Sequence, residues 1–251
     1  MGKLMRYEFR KTWFTKAILL GVTALLEALF LIGLYGEYSS MLGTSALFLF
    51  LLAFFGVLVI GLESVITLHR DVNTKQSYML FMTPNSCYKI LGAKTLECSI
   101  SVLLTGAFYF ALGALDIMLI FAKEGELSEM WRMIRQFLTQ ITVEGRALSL
   151  NMQMFGSLAF SMLCGWIFTV TTAYLAVVIS SALLNGKKLN GFISFILFLA
   201  ITTAVSRLMS VCLRSVSDTI TLLLVEGGIS LVIAGIMYYL TARIMEDRLS
   251  V

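Results

Sequence analysis

Proline and histidine are almost missing from this chain: 251 residues contain one of each, Pro84 and His69. A lone histidine leaves no His-x-x-x-His pair and no Cys/His cluster for zinc, and no Ser/His pair for nucleophilic catalysis inside a membrane. His69 reads instead as a residue at a membrane edge. The phosphate-cradling pattern G-x-x-x-x-G-K-[ST] is also missing, since Gly186-Lys187 has Ser181 where the first glycine belongs and Lys188 where the hydroxyl belongs. Catalysis by this chain, and a cofactor or metal bound by it, are therefore not expected. A single proline leaves no Pro-rich linker, and only four cysteines (Cys87, Cys98, Cys164 and Cys212) make a disulfide framework an unpromising reading. Charge is scarce too, at 14% Asp, Glu, Lys and Arg.

What fills the space is apolar. Hydrophobic residues make up 59% of the sequence, and the mean hydropathy is +0.89. They gather into six runs at 17–35, 45–68, 98–121, 154–184, 189–206 and 219–240. Each is about 18 residues or longer, enough to cross a ~30 Å hydrocarbon core at 1.5 Å per residue. None has the polar outer face of a helix in a soluble domain. The reading is an all-α integral membrane protein, with one transmembrane domain over residues 1–251 and the lipid bilayer as its first partner.

The basic residues give the orientation. With the amino terminus in the cytoplasm, the cytoplasmic segments hold Lys3, Arg6, Arg10, Lys11, Lys16, Arg70, Lys75, Lys89, Lys94, Lys187, Lys188, Arg243 and Arg248, 13 of the 19 Lys and Arg. Lys123, Arg132, Arg135, Arg146, Arg207 and Arg214 fall outside. This follows the positive-inside rule and predicts both termini in the cytoplasm. The net charge of +4 is accounted for by this bias, so it gives no argument for nucleic acid. The first run, behind a long basic leader and with no small-residue cleavage pattern after it, reads as a span and not as a signal peptide.

Three segments between the runs carry patterns of their own. In the leader, Met5, Phe9 and Trp13 recur at i, i+4, i+8 among Lys3, Arg6, Arg10 and Lys11, which predicts an interfacial helix with its apolar side in lipid. Between spans 2 and 3, Asp71 can open a short cytoplasmic helix that Thr83-Pro84 stops, with Tyr78, Met79, Phe81 and Met82 as an apolar side and Lys75 beside them. Asn85 or Ser86 can cap the helix that follows, placing Lys89 and Lys94 near the headgroups. Between spans 3 and 4, Leu127, Met130, Trp131, Ile134, Phe137, Leu138 and Ile141 predict an external amphipathic helix within 125–148. The stretch from Arg207 to Asp218 reads as a polar external turn. In span 4, Ser157, Ser161, Gly165, Thr169 and Ala173 recur every fourth position, the pattern of a close helix–helix contact in lipid.

Four acids fall inside the apolar runs: Glu27, Glu63, Asp116 and Glu226. An ionised acid at mid-span costs up to ~3 kcal/mol on insertion. Glu27, near the membrane centre, should therefore face protein or water, either lining a pathway or bonding to another helix. Glu226 carries the same two readings. Glu63 and Asp116 lie nearer the span ends, where snorkelling toward headgroups is expected.

The order of parts resembles the permease subunit of ABC-2 type transporters of the small Gram-positive kind. Local likeness is greatest over Arg70–Glu97, where Met82-Thr83-Pro84-Asn85-Ser86 precedes Lys89-Ile90-Leu91-Gly92-Ala93-Lys94, and in the tail Tyr238-Tyr239-Leu240 with Met245-Glu246-Asp247-Arg248-Leu249. The resemblance implies a bacterial cytoplasmic-membrane location, a second permease subunit that is the same or homologous, and two copies of a separate ABC ATPase subunit that bind the ATP. It makes residues 71–82 the ATPase-coupling helix, with Asp71, Lys75, Tyr78, Met79, Phe81 and Met82 at the contact. It also implies export of peptides, drugs or lipid-like material, or resistance to antimicrobial peptides. The external helix departs from the family pattern. A proton-coupled secondary transporter using Glu27 or Glu226, and a non-transporting scaffold or immunity protein, are the competing readings.

Overall fold

The computed structural model describes residues 2–73, 86–125, 128–132, 135, 141–143, 146–148, 152–184, 190–214, 216 and 218–249. Helix α1 covers Gly2–Lys11, α2 Trp13–Tyr35, α3 Ser39–Asn73 and α4 Cys87–Glu124. A short hairpin follows, with strands β1 (Ile141–Val143) and β2 (Arg146–Leu148), then α5 (Met152–Leu184), α6 (Asn190–Leu213) and α7 (Thr219–Leu249). Six helices, α2 to α7, are long and apolar enough to cross a membrane, and each coincides with one of the expected runs. This architecture fits a multi-pass transmembrane protein.

Helices outrun the apolar segments that nucleate them. Residues 87–97, expected as a helix capped by Asn85 or Ser86, are continuous with the third apolar run in α4, and α6 continues through Arg207 to Leu213, so the expected turn from Arg207 begins later. Neither stretch contains a proline, and in both the apolar pattern persists past the last hydrophobic run, so nothing ends the helix there. Ser86 holds the start of α4, its carbonyl accepting from Lys89 N at 2.9 Å and Ile90 N at 3.3 Å.

Two compact units alternate along the chain. The first comprises residues 1–9, 61–99 and 153–251. Its axis is α5, where Tyr174, Leu175, Ala176, Val177 and Val178 are buried in succession, so that turn is covered on all sides. Phe168 of α5, Val205 of α6 and Ala234 of α7 form a common apolar core. Gly227 of α7 is needed at this packing, since a Cβ there would lie 2.7 Å from the Phe160 ring and 3.3 Å from Ser161 Cα. The polar link from α5 to α6 is also buried: Ser180 bonds to the Asn190 side chain and, at 2.6 Å, to Ser194 Oγ.

The second unit comprises residues 10–60 and 100–152. Phe30, Leu34 and Leu49 form its core, with Leu112, Leu119 and Ile120 of α4 packed against them. The turn from α2 to α3 is tight: Glu37 takes a left-handed φ of 61°, and Tyr38 N donates to Gly33 O at 3.1 Å. A Cβ on Gly33 would lie 2.8 Å from Leu42 N, so only glycine lets α3 pass so close.

The external helix expected within 125–148 is shorter than that range. Residues 128–132 are helical, with Met130 buried, Trp131 exposed and Arg132 paired with Glu129 at 2.7 Å. Ile141, expected on that helix, lies in β1, paired with Leu148 of β2. Ile141-Thr142-Val143 is a β-branched run, which favours strand. Leu127, Ile134, Phe137 and Leu138 lie outside the described residues.

Candidate functional site

Two polar centres stand out, one in each unit. The first is built around Lys94. Residues 87–98 of α4 are buried on nearly every face, so the Lys94 side chain, 2% exposed, has no route to water. Its ammonium lies 2.6 Å from Asp71 Oδ2 and 2.9 Å from Glu8 Oε1, and both carboxylates are themselves buried. Short charge-assisted contacts of this kind offset the desolvation of three ions, which is several kcal/mol each. Glu97, one turn further along α4, is buried as well.

This centre corrects three expectations. Asp71 does not open a new helix; it belongs to α3, which continues to Asn73, and its carboxylate is held by Lys94. A carboxylate already satisfied by an ammonium has no call to cap a helix. Lys94 is enclosed by protein where a place near headgroups was expected. The leader helix is also turned the other way. Leu4, Met5 and Phe9 are half-buried beside the buried Glu8, while Lys3, Arg6, Tyr7 and Arg10 face outward. Its apolar side is against protein, and Glu8 on that side reaches Lys94. The other residues expected on a coupling helix, Lys75, Tyr78, Met79, Phe81 and Met82, lie outside the described residues. The helices that flank them, α3 and α4, are tied together by the Asp71–Lys94 pair.

The second centre is a seam of polar contacts between α2 and the later half of α4. Lys16 Nζ donates to Ser101 Oγ at 2.7 Å and to Thr12 Oγ1 at 3.0 Å. Further along, the Thr23 and Tyr109 hydroxyls meet at 3.0 Å. Thr23 gives its proton to Leu19 O at 2.7 Å, so the phenol is the donor to Thr23. Glu27 and Asp116 come next and face each other as neighbours, each with a buried carboxyl oxygen that has no hydrogen-bond partner. At the far end Lys123 Nζ donates to Leu34 O at 2.6 Å and lies 3.8 Å from Glu37. It thereby satisfies a carbonyl in the last turn of α2, where a cation is favoured. The contacts advance together along both helices, so the two run parallel. Positions 16, 23, 27 and 34 of α2 are spaced 7, 4 and 7 apart, and 109, 116 and 123 of α4 seven apart, so each set stays on one face.

Asp116 thus faces a helix and not the headgroups. Glu63 is half-buried on α3, and its helix neighbour Ser64 bonds to the hydroxyl of Tyr174, which is fully buried on α5. Glu226 is half-buried on α7. The small-residue stripe is divided. Ser157 is buried and Ser161 meets Gly227, but a Cβ on Gly165 would meet nothing within 4 Å and Thr169 is exposed. Ala173 is half-buried. The covered line of α5 runs instead through Cys164, Phe168, Thr172 and Leu175, because the bulky side chains, not the small ones, fill the space toward α6 and α7.

Glu8, Ser101, Thr23 and Tyr109 are the members of these centres that sequence reasoning missed. The seven-residue spacing of polar residues in an apolar run was the available signal for the seam. Among the described residues no group of three His, Cys, Asp or Glu could hold a metal ion. Comparison of the chain with protein families, with curated proteins and with solved structures finds no match.

Proposed function

We propose that the chain is the membrane-spanning permease subunit of an ABC-2-like exporter, worked by ATP hydrolysis on a separate ATPase subunit. In this reading both termini and the segment between α3 and α4 lie in the cytoplasm. Two ATPase copies drive a pair of permease subunits, and the cargo is peptide, drug or lipid-like. The observation that carries it is the lock at Lys94. Its contacts at 2.6 Å to Asp71 and 2.9 Å to Glu8 join α1, the end of α3 and the start of α4. A push on residues 74–85 then moves both flanking helices, instead of being lost in a soft joint. Tyr78, Met79, Phe81 and Met82 supply the apolar knob that an ATPase groove would receive. The test is affinity purification of the tagged chain with the products of its neighbouring genes. An ATPase should co-purify with the parent chain and be lost from the Phe81→Asp variant, with membrane insertion unchanged. A chain that transports cargo when purified alone contradicts the reading.

A second reading, proton-coupled transport, is favoured by the Glu27–Asp116 pair, since intramembrane acids often mark proton pathways. It predicts uptake or release driven by a pH gradient without ATP, abolished by Glu27→Gln.

A further inference from the structure

The charges of α1 are sorted by face. Its one acid, Glu8, points inward to Lys94, and that contact fixes the rotation of the helix about its axis. Lys3, Arg6, Tyr7 and Arg10 stand at i, i+3, i+4 and i+7, so they form one stripe on the opposite side. All four are exposed, Tyr7 at 63%, and no carboxylate shares the stripe. Ten residues of helix extend ~15 Å, so the stripe is long enough to span more than one lipid headgroup. The chain continues from α1 directly into α2, the first apolar helix, whose opening residues Trp13 and Phe14 are also exposed. Aromatic side chains of that kind are enriched at the level of the headgroups.

We infer that the outward stripe of α1, Lys3, Arg6 and Arg10 with Tyr7 between them, is a binding site for anionic phospholipid headgroups. The guanidinium groups of Arg6 and Arg10 take phosphate oxygens in paired hydrogen bonds, and Lys3 adds a point charge. The tyrosine ring lies along the glycerol region with its hydroxyl outward. Because the inward side is held by Glu8 and Lys94, these cations stay presented to the bilayer surface and do not turn away from it. The inference is independent of the transport reading, since it needs neither nucleotide nor ATPase.

The test is lipid selectivity of the full chain reconstituted in phosphatidylcholine vesicles, read by electron spin resonance as the immobilised fraction of spin-labelled phosphatidylglycerol against that of spin-labelled phosphatidylcholine. The parent should prefer phosphatidylglycerol severalfold. Each cation near an anionic surface contributes about fivefold at most, and less as salt rises. The variant carrying Lys3→Gln, Arg6→Gln and Arg10→Gln should lose most of that preference. A matched variant carrying Lys89→Gln, Arg207→Gln and Arg214→Gln, three exposed cations elsewhere, should keep most of it. No preference in the parent overturns the site. So does an equal loss in both variants, which reveals only diffuse charge. The substituted side chains are exposed, and thermal unfolding of each variant checks that the Lys94 centre is intact.

Discussion

The two units face the same difficulty, ionisable groups in apolar surroundings, and meet it differently. Around Lys94 the charges are kept: one ammonium is divided between two carboxylates and sealed from water. In the α2–α4 seam the acids Glu27 and Asp116 face each other, and the cations Lys16 and Lys123 stand at the two ends. The first arrangement depends most on its one ammonium, which both buried carboxylates contact. The second is a row of modest hydrogen bonds, each of which can be lost with little harm.

That contrast can be broken by substitution. Lys94→Met should have the largest effect, about 3–5 kcal/mol, since it removes the ammonium that both buried carboxylates contact. Thermal unfolding in detergent measures it. The double variant Glu8→Lys with Lys94→Glu restores one ammonium among two carboxylates and should recover most of the loss; no recovery would mean that geometry and not charge sets the centre. Gly33→Val should cost about 1–3 kcal/mol by forcing α3 away from α2 at Leu42, seen as a lower unfolding temperature. In the seam, Thr23→Val should cost only about 0.6–1.7 kcal/mol, since hydrogen bonds between membrane helices are weak and the Tyr109 phenol alone loses its acceptor. Glu27→Gln should be close to neutral for stability, because an amide removes one of two facing acids and can itself donate to Asp116.

The smallest effect belongs to a cap. Asp218 accepts from Thr221 Oγ1 at 2.6 Å and Thr221 N at 3.0 Å, and these bonds hold its carboxyl below the usual aspartate value. A folded value below the unfolded one stabilises the α7 start at pH above about 3.9. That contribution fades as pH falls through the lowered folded value. Amide exchange at Thr221 should therefore speed up only in strong acid, and Asp218→Ala should remove that pH dependence.

The six membrane helices were legible because each carries an unbroken apolar run, a signal that needs no partner to interpret. The polar centres were less so. Glu27 was flagged as an acid in need of company, but its partner Asp116 sits 89 positions away and looked like a snorkelling residue. Periodicity within one helix says which residues share a face, not which helix will cover it. Lys94 shows the same limit: a lysine before a span suggests headgroups until two distant carboxylates are found around it. Met5 and Phe9 formed a correct apolar stripe, yet an apolar stripe fits lipid and protein equally well. Here Glu8 decided between them.

The central claim is that a cytoplasmic ATPase engages the segment between α3 and α4. It is tested most directly by a Tyr78→Cys variant, cross-linked in its native cells and probed for an adduct with an ATPase. The account predicts a covalent adduct between the two proteins, with residue 78 shielded from membrane-impermeant thiol reagents added outside. Labelling of residue 78 from the exterior of intact cells would contradict it.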